Sequence, residues 1–253
     1  MIAPRPPVYP KPKPERPQRG KTVTISASVM VADGVIMCAD RMVSHGDFAH
    51  YDLKLFGVRG DNFAAIGTGA GDYDAITSIT EGFLHSIVSA KGNTQMDDIP
   101  RKLEDFLAEK LRNVSDPHVW LLFAFMKDDG IYDVWSSYNC TVRHVSPSVP
   151  EVIGIGDNSL IRYLADSLYH LSLTLKQGIA LAVYIVWAAK KYCPAYCGGP
   201  TDIWVLGKQT ASSIALWKVV PASTILALEE ILQRGGAECL KNTLNLAAQS
   251  ITY

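Results

Sequence analysis

A chain of 253 residues, 48% apolar and 19% charged, is long enough for one large domain and can bury a real core, which excludes a wholly disordered protein. A net charge of −1 excludes a nucleic-acid binder that relies on bulk positive charge. The charge is unevenly spread: residues 1–20 hold five basic side chains against Glu15, a net of +4, together with seven of the 14 prolines, so the rest of the chain carries −5.

The chain thus divides into a basic, Pro-rich leader, residues 1–21, and a single acidic body, residues 22–253. Proline fixes φ and removes donors, so the leader is predicted to be extended, polyproline-like or disordered. Three roles fit it: a solubilising tail, a ligand for a Pro-binding domain through spacings such as Pro4–Pro7 and Pro7–Pro10, or a propeptide that is removed. It contains no apolar signal-peptide core, and the longest apolar run, Ile179–Ala189, is too short to span a bilayer and reads as a buried helix. Five scattered cysteines, Cys38, Cys140, Cys193, Cys197 and Cys239, predict reduced thiols. A cytoplasmic location without membrane or nucleic-acid partners follows as the expectation.

Strand alternation begins at Thr22: Val23, Ile25, Ala27, Val29 and Val31 share one face of Thr22–Ala32. Asp33-Gly34 is a hairpin signal, and Val35–Ala39 is the return strand. A second pair, Leu53–Val58 and Phe63–Ile66, turns at Arg59–Asn62 and is expected to end at Gly67, Gly69 and Gly71. Two helices follow. Tyr73–Ser89 buries Ile76, Ile79, Phe83 and Ile87; Ile99–Val114 buries Leu103, Phe106, Leu107 and Leu111, with Asp97 or Asp98 as cap and Pro100 in the first turn. Strands return over Val119–Met126 and Ile131–Ser137, with a further pair to about Val152. Helices near Asn158–His170 and Leu175–Tyr192 come next, the latter behind a Thr174-x-x-Gln177 capping box. Strands Thr201–Leu206 and Ile214–Val219 and helices Leu226–Gln233 and Ala237–Ala248 complete the chain. This order lacks the strict alternation of a doubly wound parallel sheet. An α+β fold of two antiparallel sheets stacked between helix layers fits it.

Thr24, Asp40 and Lys54 lie at strand ends that a hairpin and a neighbouring strand would bring together. A threonine hydroxyl becomes a nucleophile when its own α-amine serves as base, which requires cleavage of the chain before it. A nearby cation lowers proton affinities, and a carboxylate holds the cation. Taken singly, an Asp or Lys at a strand end is ordinarily a solvated charge.

Several segments together resemble the proteasome family: Thr22-Val-Thr-Ile-Ser-Ala-Ser, Asp33-Gly34 through Asp40-Arg41, Asp52-Leu-Lys54-Leu-Phe, Ile66-Gly67-Thr-Gly69-Ala-Gly71-Asp72, the helix Thr174–Lys190, and Cys197-Gly198-Gly199-Pro200-Thr201-Asp202-Ile203. The family comprises the 20S proteasome subunits and their HslV and Anbu relatives, and the resemblance runs from Thr22 to Leu206. It implies the four-layer αββα sandwich of N-terminal-nucleophile hydrolases and a self-compartmentalising threonine peptidase without cofactor or metal. It also implies a homo-oligomeric ring and peptide or unfolded-protein substrates, with an ATPase as a candidate partner. A gap-free alignment puts the nucleophile at Thr24, with Asp40 and Lys54 in support; a hairpin two residues longer puts it at Thr22. Backbone N–H groups near Gly69 would hold the oxyanion. This chain departs from active members at three polar positions: Asp157 stands where a serine is usual, and Pro194-Ala195-Tyr196-Cys197 replaces both polar residues of Asp-x-x-Ser. A non-catalytic ring subunit and a hydrolase of small amides therefore stay as alternatives.

Weaker signals have plainer readings. Cys140, His144, Cys193 and Cys197 have spacings a zinc site tolerates, but structural thiols are the ordinary explanation. Gly20-Lys21-Thr22 lacks the upstream glycine of a phosphate loop. His45 and His50 flank the loop between Asp40 and Lys54, where the Val43–Tyr51 side chains would shape a specificity pocket. Asp72 and Asp74 fit a helix start, and Trp187 and Trp204 fit the core.

Overall fold

A computed structural model describes residues 24–45, 48–89, 95–115, 117–155, 159–209 and 214–235. The leader, Thr22, Asp157, Cys239 and the expected helix Ala237–Ala248 lie outside the described residues.

The first sheet contains β1 (Ile25–Val31), β2 (Gly34–Asp40), β10 (Glu151–Gly154), β11 (Thr201–Gln209) and β12 (Ile214–Val219). The second contains β5 (Phe56–Arg59), β6 (Phe63–Gly71), β7 (Val119–Lys127), β8 (Tyr132–Tyr138) and β9 (Thr141–His144). Their orders are β10-β1-β2-β11-β12 and β5-β6-β7-β8-β9, antiparallel throughout. A separate hairpin joins β3 (Met42–His45) to β4 (Phe48–Tyr51). Five α-helices are described: α1 (Tyr73–Ser89), α2 (Ile99–Leu111), α3 (Ser159–Leu168), α4 (Leu175–Tyr192) and α5 (Ala222–Gly235). The chain is α+β.

Strand alternation sorts side chains into three cores. Ile25, Ala27, Val29 and Val31 of β1, with Ile36 and Cys38 of β2, pack against α4 and against Ile161, Ile225 and Leu228 of α3 and α5. The opposite face, Met30, Val35, Met37 and Ala39, meets Ala64, Ile66, Leu122 and Ala124 of the second sheet. The far side of that sheet, Ala65, Leu121, Phe123 and Phe125, meets Ile76, Phe83 and Ile87 of α1 and Leu103 and Leu107 of α2. The apolar run Ile179–Ala189 is the buried body of α4, as its composition predicts. Among the described residues, no helix is long and apolar enough to cross a membrane.

Several expectations need correction. The glycine cluster does not end β6, which stays paired with β7 as far as Gly71↔Val119. A Cβ at Gly67 would lie 2.6 Å from the Thr80 side chain of α1, and one at Gly69 would lie 2.7 Å from Ile76. These glycines let α1 sit close on the strand. The expected strand pair after β8 is not a pair. β9 joins β8, whereas β10 crosses to the first sheet and joins β1. Pro147 and Pro150 lie between β9 and β10 and cannot donate ladder bonds, so the hairpin cannot continue. Asp98 precedes α2 but makes no side-chain cap, because Met96–Asp98 form a 3-10 turn that already feeds the helix. The β3–β4 hairpin occupies what was expected to be loop, and α5 begins four residues before Leu226.

Candidate functional site

Thr24 immediately precedes β1, Asp40 closes β2 and Lys54 leads into β5. The β1–β2 register, Ser26↔Ala39 to Val31↔Gly34, sets Thr24 beside Asp40 across the open end of the hairpin. The Thr24 hydroxyl donates to Asp40 Oδ1. Lys54 Nζ donates to Asp40 Oδ1 at 3.0 Å, to Thr24 Oγ1 and to the Met42 carbonyl. The structure therefore brings the three together, with exposures of 4%, 0% and 3% for Thr24, Asp40 and Lys54. Backbone donors complete the Asp40 shell: Ile25 N–H at 3.2 Å and Gly198 N–H at 2.9 Å. Four donors on one carboxylate fix its orientation.

Burial pushes the Lys54 ammonium below the usual lysine range, against the opposing pull of Asp40. The lysine therefore gives up its proton more readily than an exposed one. Cys197, from the motif Cys197-Gly198-Gly199, is buried beside this pair. Its thiol is pushed up by burial and by the Asp40 carboxylate, with Lys54 pulling the other way.

A narrow recess opens at Thr24. Met42, Val43, Phe56 and Ile76 give it apolar walls, and Gly69 lies on its lining with Lys54 and Tyr73. Among the described residues β5 pairs with β6 only as far as Gly67, so the lining stretch of β6 lies past the end of that pairing. Of the segment Val43–Tyr51, Val43 reaches the recess, whereas Tyr51 is largely exposed and lies over Gly199. His50 stands edge-on to Tyr73, with ring centroids 6.2 Å apart.

Other participants were not singled out from the sequence. Ser26 Oγ lies 3.0 Å from Thr68 Oγ1 and donates to the Gly69 carbonyl at 3.1 Å, tying the two sheets together at the recess. Arg41 makes two 2.7 Å bonds to Asp202, bracing the end of β2 against β11. A signal existed for Ser26: Thr24, Ser26 and Ser28 are the polar alternate positions of an otherwise apolar strand. Arg41 and Asp202 stand next to Asp40 and Thr201 in the sequence, but nothing in the spacing pairs them.

The four zinc-type residues are not gathered. Cys140 is exposed in the β8–β9 turn, His144 bonds Asp133 at 3.1 Å, and Cys197 is buried near Asp40. Among the described residues no group of three or more His, Cys, Asp or Glu side chains is placed to hold a metal ion.

No protein-family model matches the chain, and no curated protein matches it. Solved structures do. Anbu (ancestral beta-subunit) from Yersinia bercovieri superposes with a TM-score of 0.70 at 13% identity, over 86% of this chain and 97% of that one. The Anbu complex of Pseudomonas aeruginosa, solved as a helical assembly, gives 0.66 at 15% identity, over 87% and 96%. Anbu from Hyphomicrobium sp. strain MC1 gives 0.68 at 13% identity, over 91% and 99%. At such identities the likeness speaks to fold: the chain has the proteasome-like fold of the Anbu proteins.

Proposed function

We propose that this protein is a threonine-type amide hydrolase, in which Thr24 becomes an N-terminal nucleophile once residues 1–23 are removed by autocleavage. The observation that carries the reading is the buried trio: a threonine hydroxyl bonded to both a carboxylate and a lysine, with the threonine and the lysine lining a narrow recess. The order of the three cores supports a four-layer αββα sandwich over a single domain.

Before cleavage the Thr24 nitrogen is an amide and has no basic lone pair. Lys54, whose burial favours loss of its proton, is the base within reach of Oγ1. Oγ1 gives its proton to Lys54 and bonds to the Val23 carbonyl carbon. The C–N bond then breaks, and the proton passes to the departing nitrogen. Water hydrolyses the resulting ester, giving residues 1–23 a terminal carboxylate and Thr24 a free amine. In each later turnover that amine takes the Oγ1 proton. Lys54, reprotonated from solvent once cleavage is complete, then favours the amine's neutral form through its charge, and Asp40 orients Lys54. Backbone N–H groups around Gly69 are the candidate oxyanion donors. The apolar walls favour an apolar acyl side chain, and peptides or unfolded proteins are the proposed substrates. By likeness to the helical Anbu complex, the working form is a homo-oligomer, proposed as a ring. The thiols Cys38, Cys140 and Cys197 fit a reducing cytoplasm.

Intact mass tests this reading: the purified protein should lack residues 1–23, and Thr24→Ala should retain them. Loss of only residues 1–21, abolished by Thr22→Ala, would move the nucleophile to Thr22. A second reading rests on Cys197, a buried neutral thiol where active family members place a polar residue. It makes the protein a non-catalytic subunit whose retained Pro-rich leader recruits a Pro-binding partner or an ATPase. An uncleaved chain that assembles but does not react with threonine-directed electrophiles would establish it. If the leader is cleaved, peptides profiled against small amides separate a peptidase from a small-amide hydrolase.

A further inference from the structure

Lys54 donates to the Asp40 carboxylate and to the Met42 carbonyl, and both of these residues are held in turn by one stretch of chain, Gly198–Asp202. Gly198 N–H donates to Asp40 Oδ2 at 2.9 Å, and the Gly198 carbonyl accepts from Met42 N–H at 3.2 Å. The Pro200 carbonyl accepts from Arg41 N–H at 3.2 Å, Thr201 pairs with Asp40 in the β2–β11 ladder, and Asp202 accepts both Arg41 bonds. Gly198 and Gly199 have no side chains to pack, and Gly199 has φ +71°. Such a turn is permissive and does not fix its own position, so the fixing groups lie at its ends. At one end Cys197 N–H donates to the Cys193 carbonyl at 3.1 Å, just past α4. At the other end stands Thr201, 6% exposed. Its hydroxyl accepts from Lys190 Nζ of α4 at 2.5 Å and donates to Glu229 Oε1 of α5 at 2.6 Å, while Lys190 also donates to that oxygen at 2.9 Å. The three side chains close a ring that ties the start of β11 to two helices. The Lys190 and Glu229 side chains are 18% and 20% exposed, so solvent screens their attraction only in part.

We propose that Thr201, through its bonds to Lys190 and Glu229, is a positioning residue for the candidate site. It fixes the first residue of β11, and with it the Gly198 and Pro200 backbone groups that set Asp40, Arg41 and Met42 around Lys54. The ring touches none of the trio, so its action is indirect. The hydroxyl has one proton, which it gives to Glu229, and it accepts from Lys190. Losing that hydroxyl leaves the Lys190–Glu229 pair in place but cuts its hold on the strand. The titratable groups that face Lys54 are Asp40 of β2, Asp202 of β11 and the Cys197 thiol. Two of them, Cys197 and Asp202, flank the braced turn, so slack there moves part of the charge around Lys54 as well as its hydrogen-bond acceptors. Burial is the main cause that holds Lys54 below the usual lysine range. Loosening the turn admits water beside the ammonium, weakens that cause and raises the proton affinity of Lys54. The predicted effect on rate rests on the hydrolase reading, in which neutral Lys54 takes the Thr24 proton; the effect on Lys54 itself does not.

Thr201→Val removes the hydroxyl at nearly constant volume and keeps a strand-favouring side chain, whereas Thr201→Ser keeps the hydroxyl. Two measurements on the whole chain test the proposal. Leader release is followed by intact mass across pH, and Lys54 is titrated by NMR with carbon-13 at lysine Cε, its resonance identified by its absence in Lys54→Met. All chains are compared in the same covalent state. Thr201→Val should slow release about tenfold or more, as misplacement of a reacting group does, and should shift both the release midpoint and the Lys54 titration to higher pH. Thr201→Ser should stay near wild type in each. Glu229→Ala, at a partly exposed helix position, breaks the same ring from the other side and should shift Lys54 in the same direction, so the test stands even where Thr201→Val does not fold. A Lys54 titration that is unchanged or lowered in these variants overturns the proposal, whatever happens to rate or stability, because the ring then only stabilises the fold. A shift as large in Thr201→Ser as in Thr201→Val assigns the effect to packing and also overturns it. If wild type never releases its leader, the hydrolase reading falls, and the raised Lys54 titration still upholds the positioning role.

Discussion

Cys38 and Lys54 are both buried and titrate in overlapping ranges, yet their effects on stability have opposite signs. Burial raises the Cys38 thiol from an ordinary 9.0 to about 12, against a smaller opposing effect from a hydrogen bond with the Ala27 backbone. The folded state therefore holds this proton after the unfolded chain has lost it. The stabilisation from neutral Cys38 is complete below pH 9.0 and is lost as pH rises from there to about 12. Lys54 is lowered from 10.5, so its unfolded form holds the extra proton, and stability gains as pH rises from the folded value towards 10.5. Comparing Cys38→Ala with wild type removes the shared Lys54 contribution. In urea unfolding above pH 9, wild type should lose stability faster than Cys38→Ala, by about 1.4 kcal/mol per pH unit, one proton's worth. Parallel pH profiles would mean that the thiol ionises in the folded state as it does in the unfolded chain. The offset between the curves, which includes the cavity left by the smaller side chain, plays no part in the test.

Among the elements, α4 joins a local signal to a global role. Thr174 Oγ1 accepts from Gln177 N–H at 3.3 Å, while the Gln177 side chain accepts from Thr174 N–H at 2.9 Å, the reciprocal capping box its spacing predicts. Thr174→Ala should lower stability by about 1 kcal/mol in chemical denaturation, with wild-type helix content in the native state. A change below a few tenths would show that α4 is held by packing alone. Its neighbours show what sequence pattern can and cannot reveal. The bounds of α1 and α4 were legible because apolar spacing, caps and breakers agree at both ends. The extension of β6 through Gly69 was not, since glycine reads locally as a terminator while its purpose here is the approach of α1. The partner of β10 was equally hidden, because pairing with β1 is a contact between residues about 125 positions apart, such as Ile25 and Gly154. The trio Thr24, Asp40 and Lys54 was legible through motifs and hairpin register. Gly198 as a donor to Asp40 was not, because a backbone N–H leaves no mark in a side-chain pattern.

On the scale of the whole molecule, the candidate site spans two sheets. Thr24 immediately precedes a strand of the first and Asp40 closes another, while Lys54 leads into the second. Their spacing depends on how closely the sheets approach, and the core between them is lined by small residues: Ala39, Ala64, Ala70 and Ala124 are all fully or almost fully buried there. Ser26 and Thr68 bridge the same gap by hydroxyl contact near the recess. Interiors packed to crystal density have no slack for added methylenes, so a larger side chain at this level strains the sheets apart. Ala124→Leu should therefore destabilise by about 1–3 kcal/mol and also slow release of the leader when the purified precursor is followed by intact mass. Valine at Ala124 should produce a smaller effect in both measurements, because it adds less volume at the same place. A control substitution in the third core, Leu107→Ala, should destabilise by about 2–5 kcal/mol through its cavity while leaving the cleavage rate of the folded fraction near wild type, because it lies between α2 and the far face of the second sheet. If both variants slow cleavage only in proportion to the unfolded fraction, inter-sheet spacing does not set the Thr24–Lys54 geometry, and the local bonds to Asp40 suffice to hold it.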